Sequence, residues 1–272
     1  MTTFSWETFV LGAVQGLCEF LPVSSSGHLA LLQNRLGLGG EGLLAFDLLL
    51  HCATLLAVLI FFRKDLFTLA SGWVRGCVSR DAQGEEGWRY GWAILAATAV
   101  TGAVALPLKG VVESAMRSQI AVGGGLLVTA GLLLLVPLFP ERDKKLYLGA
   151  ALFVGLAQGL AVFPGVSRSG ATLAAGLFLG LSVAEAFRFS FLLSIPAILG
   201  ASLLEGLKLL KMGGLGLLPE GWGWAALAAF LLGWLALALL RRLVLSGRWV
   251  YFGVYCLILG IVVIVSTVGL GF

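Results

Sequence analysis

Apolar residues run along this chain in six long stretches, at 45–62, 91–108, 119–139, 187–206, 223–240 and 250–271. An α-helix needs about 20 such residues to cross a hydrocarbon layer roughly 30 Å thick. It also satisfies its own backbone hydrogen bonds, which a lipid-exposed segment must do. The pattern therefore predicts six transmembrane helices. Two further apolar regions, 5–36 and 147–181, are each interrupted in the middle by a polar stretch carrying Gly and Pro. The pieces on either side are short: residues 25–35 make about 16 Å of helix at ~1.5 Å per residue. Such regions read as re-entrant hairpins of two half-helices that reach the membrane midplane and return. Irregular backbone at that depth must be buried in protein or line a wet cavity. The expected fold class is an all-α integral membrane protein of six transmembrane helices plus two re-entrant helical hairpins.

A shift of 143 residues superimposes one half of the pattern on the other. Gln15-Gly16-Leu17 meets Gln158-Gly159-Leu160, Phe20 meets Phe163, and Val23-Ser24 meets Val166-Ser167. Ser26-Gly27 meets Ser169-Gly170, and in the same register Phe46 and Leu49-Leu50 meet Phe189 and Leu192-Leu193. The chain is then a single membrane domain, 1–272, holding internal repeats at approximately 5–140 and 147–271. Each repeat has one hairpin and three spans. Three is odd, so the second repeat enters from the opposite side, giving an inverted-topology repeat whose two polar motifs meet near the midplane.

Composition supports a membrane class. The chain is 59% hydrophobic and 12% charged, against about 25% charged in soluble domains, so its surface must largely face lipid. A net charge of +4 marks no nucleic-acid surface. The basic residues instead set orientation. Arg63, Lys64, Arg75, Arg80 and Arg89, with Arg142, Lys144, Lys145, Arg241, Arg242 and Arg248, fall in loops on one side, against Arg35, Lys109, Arg117, Lys208 and Lys211 on the other. The richer side is expected to be cytoplasmic, with both termini outside. Met1-Thr2-Thr3-Phe4 has no basic stretch, so the first apolar region does not read as a cleaved signal peptide. Cys18, Cys52, Cys77 and Cys256 have no metal-knuckle spacing. Trp73, Trp88, Trp92, Trp222 and Trp224 near span ends read as an aromatic belt.

The polar motifs carry the candidate chemistry. The first runs from Gln15 through Glu19 and Pro22 to Ser24-Ser25-Ser26-Gly27-His28; the second is Pro164-Gly165-Val166-Ser167-Arg168-Ser169-Gly170-Ala171-Thr172. Each places serines before an apolar helix, where a hydroxyl accepts from the free N–H groups of the first turn. Two converging helix N-termini favour an anion. Arg168 adds a fixed cation whose fork suits phosphate. Ser24 and Ser26 read as caps. Ser25 reads either as a cap or as a nucleophile. His28 lies three residues after Ser25, one turn on, and is either a base for that hydroxyl or a packing residue. Glu19, unfavourable in an apolar stretch, reads as a base or a metal ligand. Arg168 reads as an anion clamp or as the ion-pair partner of Glu19. Asp47 and His51 at a span start are given no catalytic role, and Glu185 with Arg188 reads as a helix-start ion pair.

At these residues the chain resembles the undecaprenyl-diphosphate phosphatase family of the bacitracin-resistance type. The resemblance covers nearly the whole length and rests on Glu19-Phe-Leu-Pro-Val-Ser-Ser-Ser-Gly-His28, Pro164-Gly-Val-Ser-Arg-Ser-Gly-Ala-Thr172 and Phe189-Ser-Phe-Leu-Leu-Ser-Ile-Pro196. It implies conversion of undecaprenyl diphosphate to the monophosphate carrier lipid of cell-wall synthesis, in the bacterial plasma (inner) membrane, with a divalent cation, Mg²⁺ or Ca²⁺. It implies catalysis by Glu19 and His28 with Ser25 as nucleophile, His28 taking the Ser25 proton. Arg168, flanked by Ser167 and Ser169, would bind the diphosphate with Thr172 nearby, and Ser24, Ser26 and Gln15 would line the site. Where the family has Glu or Gln, this chain has Gln15, so Glu19 is the single carboxylate available to a metal. The rival reading is a polyprenyl-phosphate flippase or anion transporter, since inverted repeats with broken helices are transporter architecture. The sequence leaves open a homodimer and the doing of both tasks.

Overall fold

In a computed structural model, residues 4–38, 41–139, 143–212 and 218–269 are described. Arg142 of the central basic loop and the last two residues of the final predicted span lie outside the described residues. The described residues form eleven α-helices and no sheet: α1 Trp6–Phe20, α2 Ser25–Arg35, α3 Glu41–Phe61, α4 Arg63–Val78, α5 Glu86–Met116, α6 Gln119–Leu135, α7 Leu148–Leu160, α8 Arg168–Phe178, α9 Val183–Met212, α10 Trp222–Leu245 and α11 Trp249–Gly269. Among them six are long and apolar enough to cross a membrane: Gly42–Phe61, Glu86–Met116, Gln119–Leu138, Val183–Leu210, Trp222–Leu245 and Trp249–Gly269. These match the six predicted stretches, with α5 and α9 extended at both ends.

Both interrupted regions fold as helix, turn, helix. In the first, α1 stops because Leu21 precedes Pro22 and adopts an extended backbone, φ −62° and ψ 142°, as steric clash with a following proline ring dictates. Ser24 then caps α2, its hydroxyl accepting from the Gly27 N–H at 3.3 Å. In the second, Gly165 turns the chain at φ +84°, and Ser167 caps α8 by accepting from the Gly170 N–H at 3.1 Å. The two turns touch. A Cβ added at Gly27 would lie 3.2 Å from Gly165 Cα, and one at Gly170 would lie 3.3 Å from Pro22 Cβ.

Small residues set the helix packing, as expected where lipid supplies no hydrophobic drive between helices. α1 lies on α10, where a Cβ at Gly12 would stand 2.2 Å from the Ala225 carbonyl oxygen and one at Gly16 2.6 Å from that of Ala229. α7 lies on α5, where a Cβ at Gly155 would stand 2.5 Å from the Ala97 carbonyl oxygen and one at Gly159 2.8 Å from Val104. Gly12 and Gly155, and Gly16 and Gly159, are related by the same shift of 143. Each short helix therefore packs against a long helix of the other half. Phe20, Phe62, Phe189 and Phe191 are buried behind the first turn, with Phe20 edge-on to Phe191 at 5.9 Å between ring centroids.

Two expectations are corrected. The segment 63–90, read as a basic loop, contains α4 and a short 3-10 turn at Asp81–Gly84. Its buried face is Leu69, Gly72 and Gly76; Leu66, Leu69 and Trp73 recur at helical spacing, but Arg63, Lys64, Asp65 and Arg75 make the segment too charged to read as a span. Arg188 does not pair with Glu185 three residues before it. Its Nε donates to Asp65 and its Nη1 to Glu86, both at 2.7 Å, tying α9 to α4 and α5. A Glu185 oxygen accepts instead from the Leu146 N–H at 3.1 Å.

Candidate functional site

The site is built around one buried carboxylate. Glu19 ends α1 facing the two turns, one helical turn after Gln15, and is 7% exposed. Ser25 and Arg168 are the first residues of α2 and α8, and both side chains reach it. Arg168 Nη2 donates to Glu19 Oε1 at 2.5 Å. The Ser25 hydroxyl donates to Oε2 at 2.7 Å, and Gln15 Nε2 donates to the same oxygen at 3.0 Å. Two helices thus begin at a single negative group, the polarity that their N-terminal dipoles favour. Of the two readings of Arg168, the contacts show the ion pair with Glu19, made from the first turn of α8.

The flanking serines organise the turns. Ser24 and Ser26 hydroxyls lie 3.3 Å apart, those of Ser167 and Ser169 3.2 Å apart. The Ser169 hydroxyl also donates to the Leu21 carbonyl at 3.3 Å, stitching turn to turn. Thr172 lies beneath Arg168, donating to its carbonyl at 2.8 Å, with its oxygen 2.5 Å from that of Ser190 on α9. Thr129 of α6 accepts from the Ser167 N–H at 2.8 Å and donates to the Gly165 carbonyl at 2.9 Å. Ser190 lies in the Phe189–Pro196 stretch already singled out, whereas for Thr129 a hydroxyl inside a long apolar span is the only hint.

Two histidines stand differently from the sequence expectation. The sequence leaves His28 as either a base in reach of the Ser25 hydroxyl or a packing residue, and it does not reach that hydroxyl. Instead its Nδ1 lies 2.8 Å from the Ser24 carbonyl oxygen and its Nε2 2.7 Å from the Tyr255 hydroxyl, so both ring nitrogens are engaged elsewhere, and the group contacting Ser25 is Glu19. His51, set aside as a span-start residue, brings Nε2 to 3.7 Å from Glu19 Oε2, while its Nδ1 faces the Asp47 carbonyl at 2.8 Å. Asp47 in turn accepts from Gln33 at 2.7 Å. A histidine within an apolar run is the signal that could have singled out His51, because such groups are unfavourable in lipid without a partner.

Oxygen donors for a divalent cation are few. Among the described residues no three of His, Cys, Asp and Glu come together. The available set is the Glu19 carboxylate and the amide oxygen of Gln15, which is buried and without a hydrogen-bond partner among the described residues. Hard cations bound with phosphates use few protein ligands, one or two carboxylates completed by phosphate oxygens. The donor set fits a cation held jointly with a phosphorylated ligand.

Comparison with known proteins bears on this geometry. A family model described as Bacitracin resistance protein BacA matches residues 8–262. A protein named undecaprenyl-diphosphatase from Desulfosudis oleivorans is 47% identical over 264 residues, covering 92% of this chain and 94% of that protein. One of the same name from Methanosphaera stadtmanae is 39% identical, covering 96% and 98%. Undecaprenyl-diphosphatase 1 of Shouchella clausii is 36% identical, covering 97% of each.

Proposed function

This chain belongs to the family of the bacitracin resistance protein BacA, and we propose that it is a membrane-embedded diphosphatase that hydrolyses undecaprenyl diphosphate to undecaprenyl phosphate and inorganic phosphate, recycling the cell-wall carrier lipid. The observation that carries this reading is the convergence of Ser25 and Arg168, from two separate turns, on the one carboxylate of Glu19. A nucleophile, its proton acceptor and a phosphate-matching cation then lie within one cluster, which is what phosphoryl transfer needs. The flippase or transporter alternative gains nothing from the relatives, whose names are those of diphosphatases.

The contacts support the following mechanism. Arg168 turns its donors to the diphosphate oxygens, and the N-termini of α2 and α8 add their partial positive charge. Glu19 accepts the Ser25 proton as Ser25 Oγ attacks the terminal phosphorus. The bond from that phosphorus to the bridging oxygen breaks, and undecaprenyl phosphate leaves with the electron pair. Water then attacks the phosphoserine, phosphate departs, and Glu19 returns the proton to Ser25. Glu19, in place of the expected His28, takes the basic part because its oxygen is the one in contact with the hydroxyl. Glu19 and the Gln15 amide oxygen would hold a Mg²⁺ or Ca²⁺ ion together with the diphosphate. When bound, that ion neutralises phosphate charge.

The substrate tail has a place beside the headgroup. An apolar cavity of about 660 Å³ lies against α6, α7 and α8, lined by residues including Val128, Phe153, Leu156, Phe163, Val166 and Ala175. Phe163 and Val166 belong to the turn that leads into Arg168, so head and tail of one lipid can be held together. The exchanged packing of α1 on α10 and α7 on α5 supports the inverted-repeat reading, with the two helix–turn–helix units as re-entrant hairpins, while the distribution of Lys and Arg between the loops supports both termini outside. Reporter fusions at each terminus, active only on one side of the membrane, test the orientation.

Phosphate release by the purified protein in detergent, with a long-chain polyprenyl diphosphate and Mg²⁺ or Ca²⁺, tests the activity. Release should stop with a chelator and return with excess metal. Absence of release with either ion overturns the reading. Ser25→Ala distinguishes the routes: full activity in that variant eliminates the phosphoserine and leaves direct attack by a water activated at Glu19.

A further inference from the structure

His28 has no free ring nitrogen with which to receive a proton from Ser25, and its two contacts point to another task. The Ser24 carbonyl can only accept, so the hydrogen between it and His28 belongs to Nδ1. A neutral imidazole with its hydrogen on Nδ1 presents a lone pair at Nε2, and the Tyr255 hydroxyl, 2.7 Å away, donates to it. The two rings are stacked, 5.7 Å between centroids and 10° between planes. Ser24 is the only non-glycine residue with positive φ among the described residues, at 70°. That conformation presses its Cβ against the following backbone and persists only where surrounding contacts hold it. Its carbonyl accepts twice from His28, from the backbone N–H at 3.2 Å and from the ring. The next residue is Ser25, whose hydroxyl must meet Glu19.

The second turn provides the contrast. Ser167, the counterpart of Ser24, has φ −74° and needs no such restraint. The counterpart of His28 is Ala171, which has no side chain to supply one. The ring contact occurs only where the backbone is strained.

We infer that Tyr255 is a positioning residue for the diphosphatase reaction: it fixes the His28 ring, the ring holds the Ser24 carbonyl, and that carbonyl directs Ser25 onto Glu19. Tyr255 lies on α11, more than two hundred residues from the motif it serves. The inference rests on the diphosphatase reading for its kinetic consequence and on the hydrogen bonds alone for its geometry.

The test is a double-mutant cycle of Tyr255→Phe and His28→Ala on phosphate release from a long-chain polyprenyl diphosphate in detergent. Phe keeps the stacked ring and removes the hydroxyl. Tyr255→Phe should lower kcat about three- to tenfold, the loss of one neutral hydrogen bond, with KM nearly unchanged. In the His28→Ala background it should lower kcat no further. An unchanged kcat in Tyr255→Phe, or the same loss with and without His28, overturns the inference. A second measurement needs no variant activity. The chain has two histidines, and ¹⁵N NMR of the labelled protein should show the His28 signal, identified by its loss in His28→Ala, as the Nδ1–H tautomer. A His28 protonated at Nε2 alone overturns it equally. Wild-type protein that releases no phosphate refutes the diphosphatase reading instead, while the histidine signals still judge the geometry.

Discussion

The turn between α1 and α2 and the turn between α7 and α8 share a scaffold and differ in chemistry. In both, a serine caps the next helix through the amide three residues on, and a second serine stands two residues later with its hydroxyl close by. In both, a buried glutamine one turn before the break, Gln15 or Gln158, has its amide oxygen without a partner among the described residues. The reactive groups are divided. The first turn carries Glu19 and Ser25; at the equivalent places the second has Val162 and Arg168. The strain is divided as well. The second turn takes its left-handed residue as Gly165, two residues before its cap and at no steric penalty, whereas the first takes it at the capping serine itself, Ser24, braced by His28. Two similar turns thus place Glu19 and Ser25 in one and Arg168 in the other, and the cluster needs both.

Substitutions can break that division in order of expected effect. Glu19→Gln removes the acceptor that both turns share. Phosphate release should fall about 10³-fold, in the range for loss of a general base, in protein that still elutes as a folded species by size-exclusion chromatography. Gly165→Ala attacks the second turn's conformation. Its Cβ would lie 2.1 Å from the Val122 carbonyl oxygen at φ +84°, so thermal unfolding in detergent should show a loss of about 3 kcal/mol or more. Arg168→Lys keeps the charge and loses the planar fork. A fall in kcat/KM of about 10²-fold, roughly 2.7 kcal/mol, is expected. Equal activity would mean that the second turn contributes only charge. The smallest effect sharpens the comparison most. Ser167→Ala removes a cap and should cost about 1 kcal/mol of thermal stability. Ser24→Gly loses the same kind of cap but relieves a positive φ, and should be nearly neutral in the same assay.

Much of this was legible because lipid imposes strong rules. Six apolar runs could only be spans, and two broken runs could only be interrupted helices; both followed from periodicity and length. The meeting of Glu19, Ser25 and Arg168 was legible through the 143-residue repeat, which set the two motifs opposite each other. The rest depended on contacts that no local pattern encodes. α4 is hidden by its charges, Arg63, Lys64, Asp65 and Arg75, which read as a basic loop between spans although Leu66, Leu69 and Trp73 keep a helical spacing. His51 reaches Glu19 because α3 packs beside α1, and Tyr255 reaches His28 across the whole chain. The spacing of Ser25 and His28 suggested a hydrogen bond, but the side chain chose the carbonyl four residues back. His51 makes the same kind of contact, with the Asp47 carbonyl four residues back.

The exchanged packing of the short helices also has a consequence for biogenesis. α1 is made well before the helix it rests on: the Thr8 hydroxyl donates to the Glu220 carbonyl, 212 residues later. At typical synthesis speeds of ~5–20 residues per second, that is a delay of roughly 10–40 s. During that interval the segment bearing the future base has no docking surface and must be sheltered by the insertion machinery or by neighbouring lipid. Glu19 can therefore sit on a fully docked α1, facing Ser25 and Arg168, only after α10 has been made.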